Sequence, residues 1–176
     1  MLPRRRITLK RILLAIALVA SGLALQAQGP LPRPAPEFKI VEASGKTTML
    51  SGLRGRVVLL AFISTQCGHC QRASIVFEEL SHEFSGRLQV AEVALDQGAD
   101  TAAFGRRLGL TFPVGSSTSD AVHDFLGIGR GDRLGTPQVV IIDRAGLIRA
   151  QSERLGSPIL QTADYLRALL KAVAAR

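Results

Sequence analysis

Two cysteines, three residues apart, constrain this 176-residue chain more than anything else in it. Cys67-Gly68-His69-Cys70 follows the apolar run Val57-Val58-Leu59-Leu60-Ala61-Phe62-Ile63. That run is rich in β-branched residues and reads as a strand covered on both faces. After it, Ala73, Val76, Phe77, Leu80 and Phe84 recur at helical spacing. The pair therefore sits where a buried strand passes into a helix. Free backbone N–H groups and the positive end of the helix dipole favour a thiolate at such a place, and the thiolate is the nucleophile. The spacing predicts Cys67 as attacking thiol and Cys70 as the resolving thiol that closes a redox-active disulfide with it.

His69 lies between the two sulfurs. An imidazolium there stabilises a thiolate and moves the pair toward the oxidising side, so His69 is expected to tune it. Two other readings exist for the cysteines. A structural staple over so short a loop constrains the unfolded chain weakly. Zinc wants three or four ligands, but Cys67, His69 and Cys70 crowd one turn. His82 and His123 have no partner at ligand spacing and read as surface residues. No metal site is expected.

The rest of the chain alternates strands and helices. Phe38 to Glu42 reads as an edge strand and Thr47 to Leu50 as a strand pairing back on it. Leu88 to Leu95 is a strand, and Thr101 to Leu108 a helix closed by Gly109. Phe112-Pro113-Val114 is extended, and Asp120 to Leu126 is helical. Val139 to Ile142 is a second buried strand, and Leu147 to Ala150 the return strand. Gln161 to Ala174 is an amphipathic helix with Tyr165, Leu166, Leu169, Leu170 and Val173 on its inner face. The expected fold class is α/β: a central mixed sheet flanked by helices, with an N-terminal β extension.

The net charge of +8 is concentrated at the N-terminus. Residues 1–27 hold five of the 22 basic residues (Arg4, Arg5, Arg6, Lys10, Arg11) and none of the 14 acidic ones, leaving 17 against 14 beyond them. The body carries no basic face or aromatic platform of the kind that nucleic-acid binding uses. Ile12 to Leu25 is an uncharged, mostly apolar run, short for a bilayer span and fitted to a signal-peptide core. Residues 1–27 are thus read as a signal peptide or N-terminal membrane anchor. Cleavage after Ala27 would put Leu25 where a small residue is preferred, which keeps the anchor reading open. Either way the body lies outside the cytoplasm, in the periplasm or its equivalent, where disulfide chemistry proceeds. Residues 28–36 form a proline-rich lead-in, and 37–176 the folded domain.

The stretches PAPEFKI, GKTTML, GLRGRVVLLAF, CGHC, GTPQVVIIDRAG and the closing helix resemble the TlpA-like and redoxin branch of the thioredoxin superfamily, over residues of about 34 to 174. That resemblance implies a thioredoxin fold and thiol–disulfide oxidoreductase activity without an organic cofactor. It implies a cis-proline at Pro137 facing the cysteines, with Thr136 backbone groups pairing with a bound client chain. The partners it implies are protein dithiols or disulfides and a redox partner that recharges the pair, in either the reductase or the oxidase and isomerase direction. The chain departs from thioredoxins proper in having Gln66 where they carry Trp, Ala61 where they carry a buried acid, and Gly-His between the cysteines. Two alternatives stand beside this reading. A thiol peroxidase would want a threonine three residues before its cysteine and a nearby proline, whereas Thr65 lies two before Cys67. A copper metallochaperone or non-enzymatic interaction module of the same fold could use the soft thiolates, but its relatives carry a longer cysteine spacing and a later histidine that His123 does not match.

Overall fold

The computed structural model describes residues 30–175. The segment 1–27, read as signal or anchor, lies outside the described residues, as do 28 and 29 of the lead-in. The strands are β1 (Arg33–Pro34), β2 (Lys39–Glu42), β3 (Thr47–Met49), β4 (Val57–Ile63), β5 (Leu88–Ala94), β6 (Val114–Ser116), β7 (Gln138–Ile142) and β8 (Leu147–Gln151). The helices are α1 (Gly68–Glu83), α2 (Thr101–Leu108), α3 (Ser119–Leu126) and α4 (Ala163–Ala174), with 3-10 turns at Leu50–Leu53 and Pro158–Gln161. The strands form one mixed sheet in the order β1-β8-β7-β4-β5-β6-β2-β3. This is the thioredoxin-like fold expected from the sequence, with extra strands at its N-terminus.

β4 is the axis of the molecule. All seven of its residues are buried, as its unbroken apolar run requires. It pairs parallel with β5 and antiparallel with β7. Strand pleating divides its side chains between two layers. Val57, Leu59, Ala61 and Ile63 join Cys70, Ala73, Phe77 and Leu80 of α1 and Leu166 and Leu170 of α4. Val58, Leu60 and Phe62 pack into the opposite layer with Val122, Phe125 and Leu126 of α3. There Phe38 sits edge-on to Phe62 and Phe125, with ring centroids 5.3 and 5.1 Å away. Full burial of each such side chain contributes about 1.5–3 kcal/mol, so the strand that delivers the cysteines is anchored on both faces.

Four details differ from the sequence reading. β2 is not an edge strand. It lies between β3 and β6, antiparallel to both, because the short β6 takes its free side. The proline-rich lead-in enters the sheet as β1, paired with β8, and Arg33 fastens it by donating to the Phe125 carbonyl at 3.2 Å and to Gln151 Oε1 at 2.7 Å. Tyr165 is 40% exposed, since the buried stripe of α4 runs through Leu166, Leu170 and Val173 and leaves Tyr165 on its shoulder. His123 is buried, held between α3 and the loop after it.

Candidate redox-active site

β4 ends at Ile63, and four residues later Cys67 caps α1. Cys67 has extended backbone (φ −81°, ψ 117°), and its Sγ accepts from the Cys70 N–H at 3.4 Å. The thiol thus occupies the place of an N-cap side chain, facing an otherwise orphan donor. The connecting loop is fixed from several sides. The Cys67 N–H donates to the Ser64 carbonyl at 3.1 Å, and Gln71 Nε2 donates to the Thr65 carbonyl at 3.0 Å. Asp96, just past β5, accepts from both the N–H and the hydroxyl of Thr65.

The two sulfurs differ sharply. Cys67 is half-buried and Cys70 fully buried, and both are free thiols. Burial pushes the Cys67 thiol up, but hydrogen bonds from Cys70, from the Thr136 side chain and from the His69 backbone outweigh it and hold the thiol below its ordinary value. Burial drives the Cys70 thiol up to about 12, against a bond from the Ser64 N–H, and the neighbouring Cys67 adds to the rise. The accessible sulfur is the one that ionises readily, and the hidden one keeps its proton.

Thr136 faces this pair. The Thr136–Pro137 peptide is cis, and the Thr136 carbonyl lies 3.9 Å from Cys67 Sγ, a long and weak contact for a thiol donor. Gly135 packs directly on the Leu155 backbone, where a Cβ would collide with the Leu155 carbonyl, and its N–H donates to the Arg154 carbonyl at 2.9 Å. Next to the proline, buried Gln138 turns its amide nitrogen to the carbonyls of Gly135, Glu153 and Arg154 at 2.7–3.2 Å. The segment opposite Cys67 is therefore braced from behind.

His69 is exposed on the first turn of α1, with Arg72 Nη2 3.0 Å from its Nδ1. A guanidinium only donates, so Nδ1 accepts. The permanent positive charge beside the turn belongs to Arg72, which the sequence reading did not single out. His82 is exposed and paired with Glu78 at 2.8 Å. Among the described residues no three His, Cys, Asp or Glu side chains gather as a metal site would need. Reading along the sequence also missed Asp96, Gln138 and Glu92. Glu92 had a signal: on β5 it is in phase with Leu88 and Val90, and alternation points it inward.

Fold and site together define a thioredoxin-fold thiol–disulfide oxidoreductase of the redoxin kind, with Cys67 and Cys70 as its dithiol. The chain belongs to the AhpC/TSA family, whose model matches residues 31–151. It is 26% identical to the thiol-disulfide oxidoreductase ResA of Geobacillus thermodenitrificans over 85% of this chain and 88% of that one. With the protein of the same name from Bacillus anthracis it shares 27% identity over 98% of this chain and 99% of that one. The crystal structure of a thiol:disulfide interchange protein of the thioredoxin family from Chlorobium tepidum TLS superposes with a TM-score of 0.68 at 21% identity, over 83% of this chain and 99% of that one. That last likeness speaks to the fold alone.

Proposed function

We propose that this protein exchanges disulfides with extracytoplasmic protein clients, with Cys67 as nucleophile and Cys70 as resolving thiol. The observation that carries this reading is the asymmetry of the pair: Cys67 is accessible and acidified, while Cys70 is buried and pushed up to about 12. In the reducing direction the Cys67 thiolate attacks a client disulfide. One client sulfur bonds to Cys67 and the other leaves as a thiolate. Cys70 then gives up its proton and attacks Cys67, the mixed disulfide breaks, and the second client sulfur leaves with its electron pair. The oxidising direction is the same sequence reversed. A redox partner returns the pair to its starting state.

Thr136 and Pro137 are the client-binding segment in this reading, supported by the Thr136 carbonyl 3.9 Å from Cys67 Sγ. His69 tunes the thiolate from the first turn of α1, where its backbone N–H helps to hold the Cys67 thiol down. Location outside the cytoplasm is supported by the cationic and then apolar composition of residues 1–27. No helix among the described residues is long and apolar enough to cross a membrane. Both ResA relatives are thiol-disulfide oxidoreductases, in agreement with this reaction.

The test is a pair of serine variants assayed with a disulfide-bonded protein client. Cys67→Ser should abolish exchange, and Cys70→Ser should accumulate a mixed disulfide between Cys67 and the client, visible on non-reducing gels. Exchange at the wild-type rate by Cys67→Ser would overturn the assignment.

A further inference from the structure

A hollow of about 310 Å³ opens on the flank of the loop that carries Cys67, between that loop and α2. Thr65, Gln66 and Gln71 line one side of it, and Asp100, Phe104 and Arg107 the other. Gln66 is the residue immediately before Cys67. Adjacent residues lie about 3.8 Å apart along the chain, so the hollow borders the nucleophile. The side chains next to a client cysteine come within its reach when that cysteine is joined to Cys67.

The charges around the hollow are not in the same condition. Asp100 caps α2 and accepts from the Ala103 N–H at 2.8 Å. The positive end of the helix dipole offsets its charge there. Asp96, bonded to Thr65, already accepts both the N–H and the hydroxyl of that residue. Gln71 gives its amide nitrogen to the Thr65 carbonyl. These groups hold the loop and the helix in shape. Arg107, in the last turn of α2, has no ion-pair partner among the described residues. Its guanidinium carbon lies over the Phe104 ring, 5.7 Å from the centroid, within the range of a cation–π contact. Phe104 is buried in the layer that holds Cys70, so the cation has a fixed seat. Stacking uses a face of the guanidinium and leaves its N–H edges to donate. The exposed Gln66 adds an amide at the end of the hollow next to Cys67. The acids are engaged, and the cation is free.

We propose that this hollow is a client subsite that selects an aspartate or glutamate close to the reacting cysteine, with Arg107 as its specificity-determining residue. The inference rests on the exchange reading above and adds to it the chemistry of the client. The N–H fork of Arg107 matches the two oxygens of a carboxylate, and the Gln66 amide can donate beside it. A lysine in the same place meets a cation with nothing to offset it. The site is open to water, so the preference is that of a partly exposed ion pair, about fivefold in affinity, and salt weakens it. Arg107 touches the client and not the sulfurs. It therefore acts on the concentration of client needed and leaves the exchange of bonds to Cys67 and Cys70.

The experiment uses symmetric disulfide dimers of a peptide with a single cysteine, with glutamate, glutamine or lysine at each neighbouring position in turn. The reduced protein is mixed with each dimer in single-turnover reactions, and release of peptide thiol is followed against dimer concentration. At one or more positions glutamate should lower half-saturation about fivefold relative to glutamine, and lysine should raise it. The glutamine peptide is the reference within each protein, so the cycle isolates the pairing from any general effect of a substitution. Arg107→Gln should remove the difference between glutamate and glutamine, and Arg107→Glu should turn the preference toward lysine. Added salt should shrink the wild-type preference. A wild type that favours glutamate at no position, or a glutamate preference of the same size in Arg107→Gln, would overturn the proposal. The glutamate peptide with serine in place of cysteine reads the subsite without exchange, through shifts of the Gln66 and Arg107 amide resonances. Binding of that peptide that is lost in Arg107→Gln, by a protein that exchanges with no disulfide, would count against the exchange reading and leave the subsite standing.

Discussion

Asp96 Oδ2 accepts two hydrogen bonds from a single residue, Thr65: one from its backbone N–H at 2.5 Å and one from its hydroxyl at 2.7 Å. This double contact ties the end of β5 to the loop that carries Cys67 out of β4. Burial pushes the Asp96 carboxyl up, but the Thr65 bonds and a smaller one from Ser64 win and hold it below the usual carboxylate value. A depressed carboxyl stabilises the fold above its unfolded value and loses that contribution as pH falls through its folded value. Asp96→Ala should therefore cost about 1–3 kcal/mol at neutral pH and much less in strong acid. Denaturant unfolding of both proteins across pH would check it, and an equal cost at both ends would show that the contact works by packing alone.

His69 lies at the second position of α1, where proline is tolerated because the N–H is not used within the helix. That N–H is one of the groups holding the Cys67 thiol down. His69→Pro removes it together with the imidazole. Cys67 should become less acidic and the reduced form less favoured. The reduction potential should then fall, by about 30 mV for every tenfold change in the exchange constant. Equilibration with glutathione measures this directly, and an unchanged potential would remove His69 from the tuning of the pair.

Stability should also respond to pH through Glu92. Its folded value, about 8, is above that of an unfolded glutamate. The folded chain therefore holds a proton that the unfolded chain has already released. This contribution is complete below the unfolded value, near 4.5, and is lost as pH rises through about 8. Glu92→Gln should flatten the decline, gaining stability on wild type as pH rises from about 5 to 8 by an amount on the order of a few kcal/mol. Parallel stability curves for the two proteins would contradict a buried, neutral Glu92.

His123 carries a comparable dependence in the opposite layer. Its Nδ1 lies 2.8 Å from the Ser119 carbonyl and its Nε2 3.0 Å from the Asp132 carbonyl. Two carbonyls facing the two ring nitrogens favour the protonated ring. These two bonds raise it against the effect of burial, with smaller help from Asp120 and Asp132. The stability it gives is complete below the unfolded histidine value and lost as pH rises through the folded one. Amide exchange at Gly129 to Arg133 should speed up over that range, and His123→Gln should speed it at low pH too. Exchange in this loop that ignores both pH and the substitution would refute the staple.

What the sequence disclosed and what it withheld divide along local and distant contacts. The β4 run, the C-x-x-C pair and the stripe from Ala73 to Phe84 are local patterns, and the strand, the junction and the helix follow from them. The place of β2 inside the sheet depends on pairing with β6, far along the chain, and no pattern within Phe38 to Glu42 could reveal it. His123 looks like a surface residue until the loop residue Asp132 closes over it. Glu92 shares the phase of Leu88 and Val90, but only the ladder partner Ala61 and the turn at Ser74 show what its side chain meets there. Arg72 and Asp96 became visible through side-chain bonds that span loop, helix and strand.

β1 and β3 stand at the two ends of the sheet, and they are two and three residues long. One contains a proline, which cannot donate to a further strand. Exposed strand edges recruit other chains and promote aggregation, and short or proline-bearing borders suppress this. In the proposed exchange reaction, cysteine-bearing client chains would bring extended segments close to the sheet. With both borders sealed, such a chain finds little backbone along the flanks on which to polymerise, and the enzyme can let go of its clients.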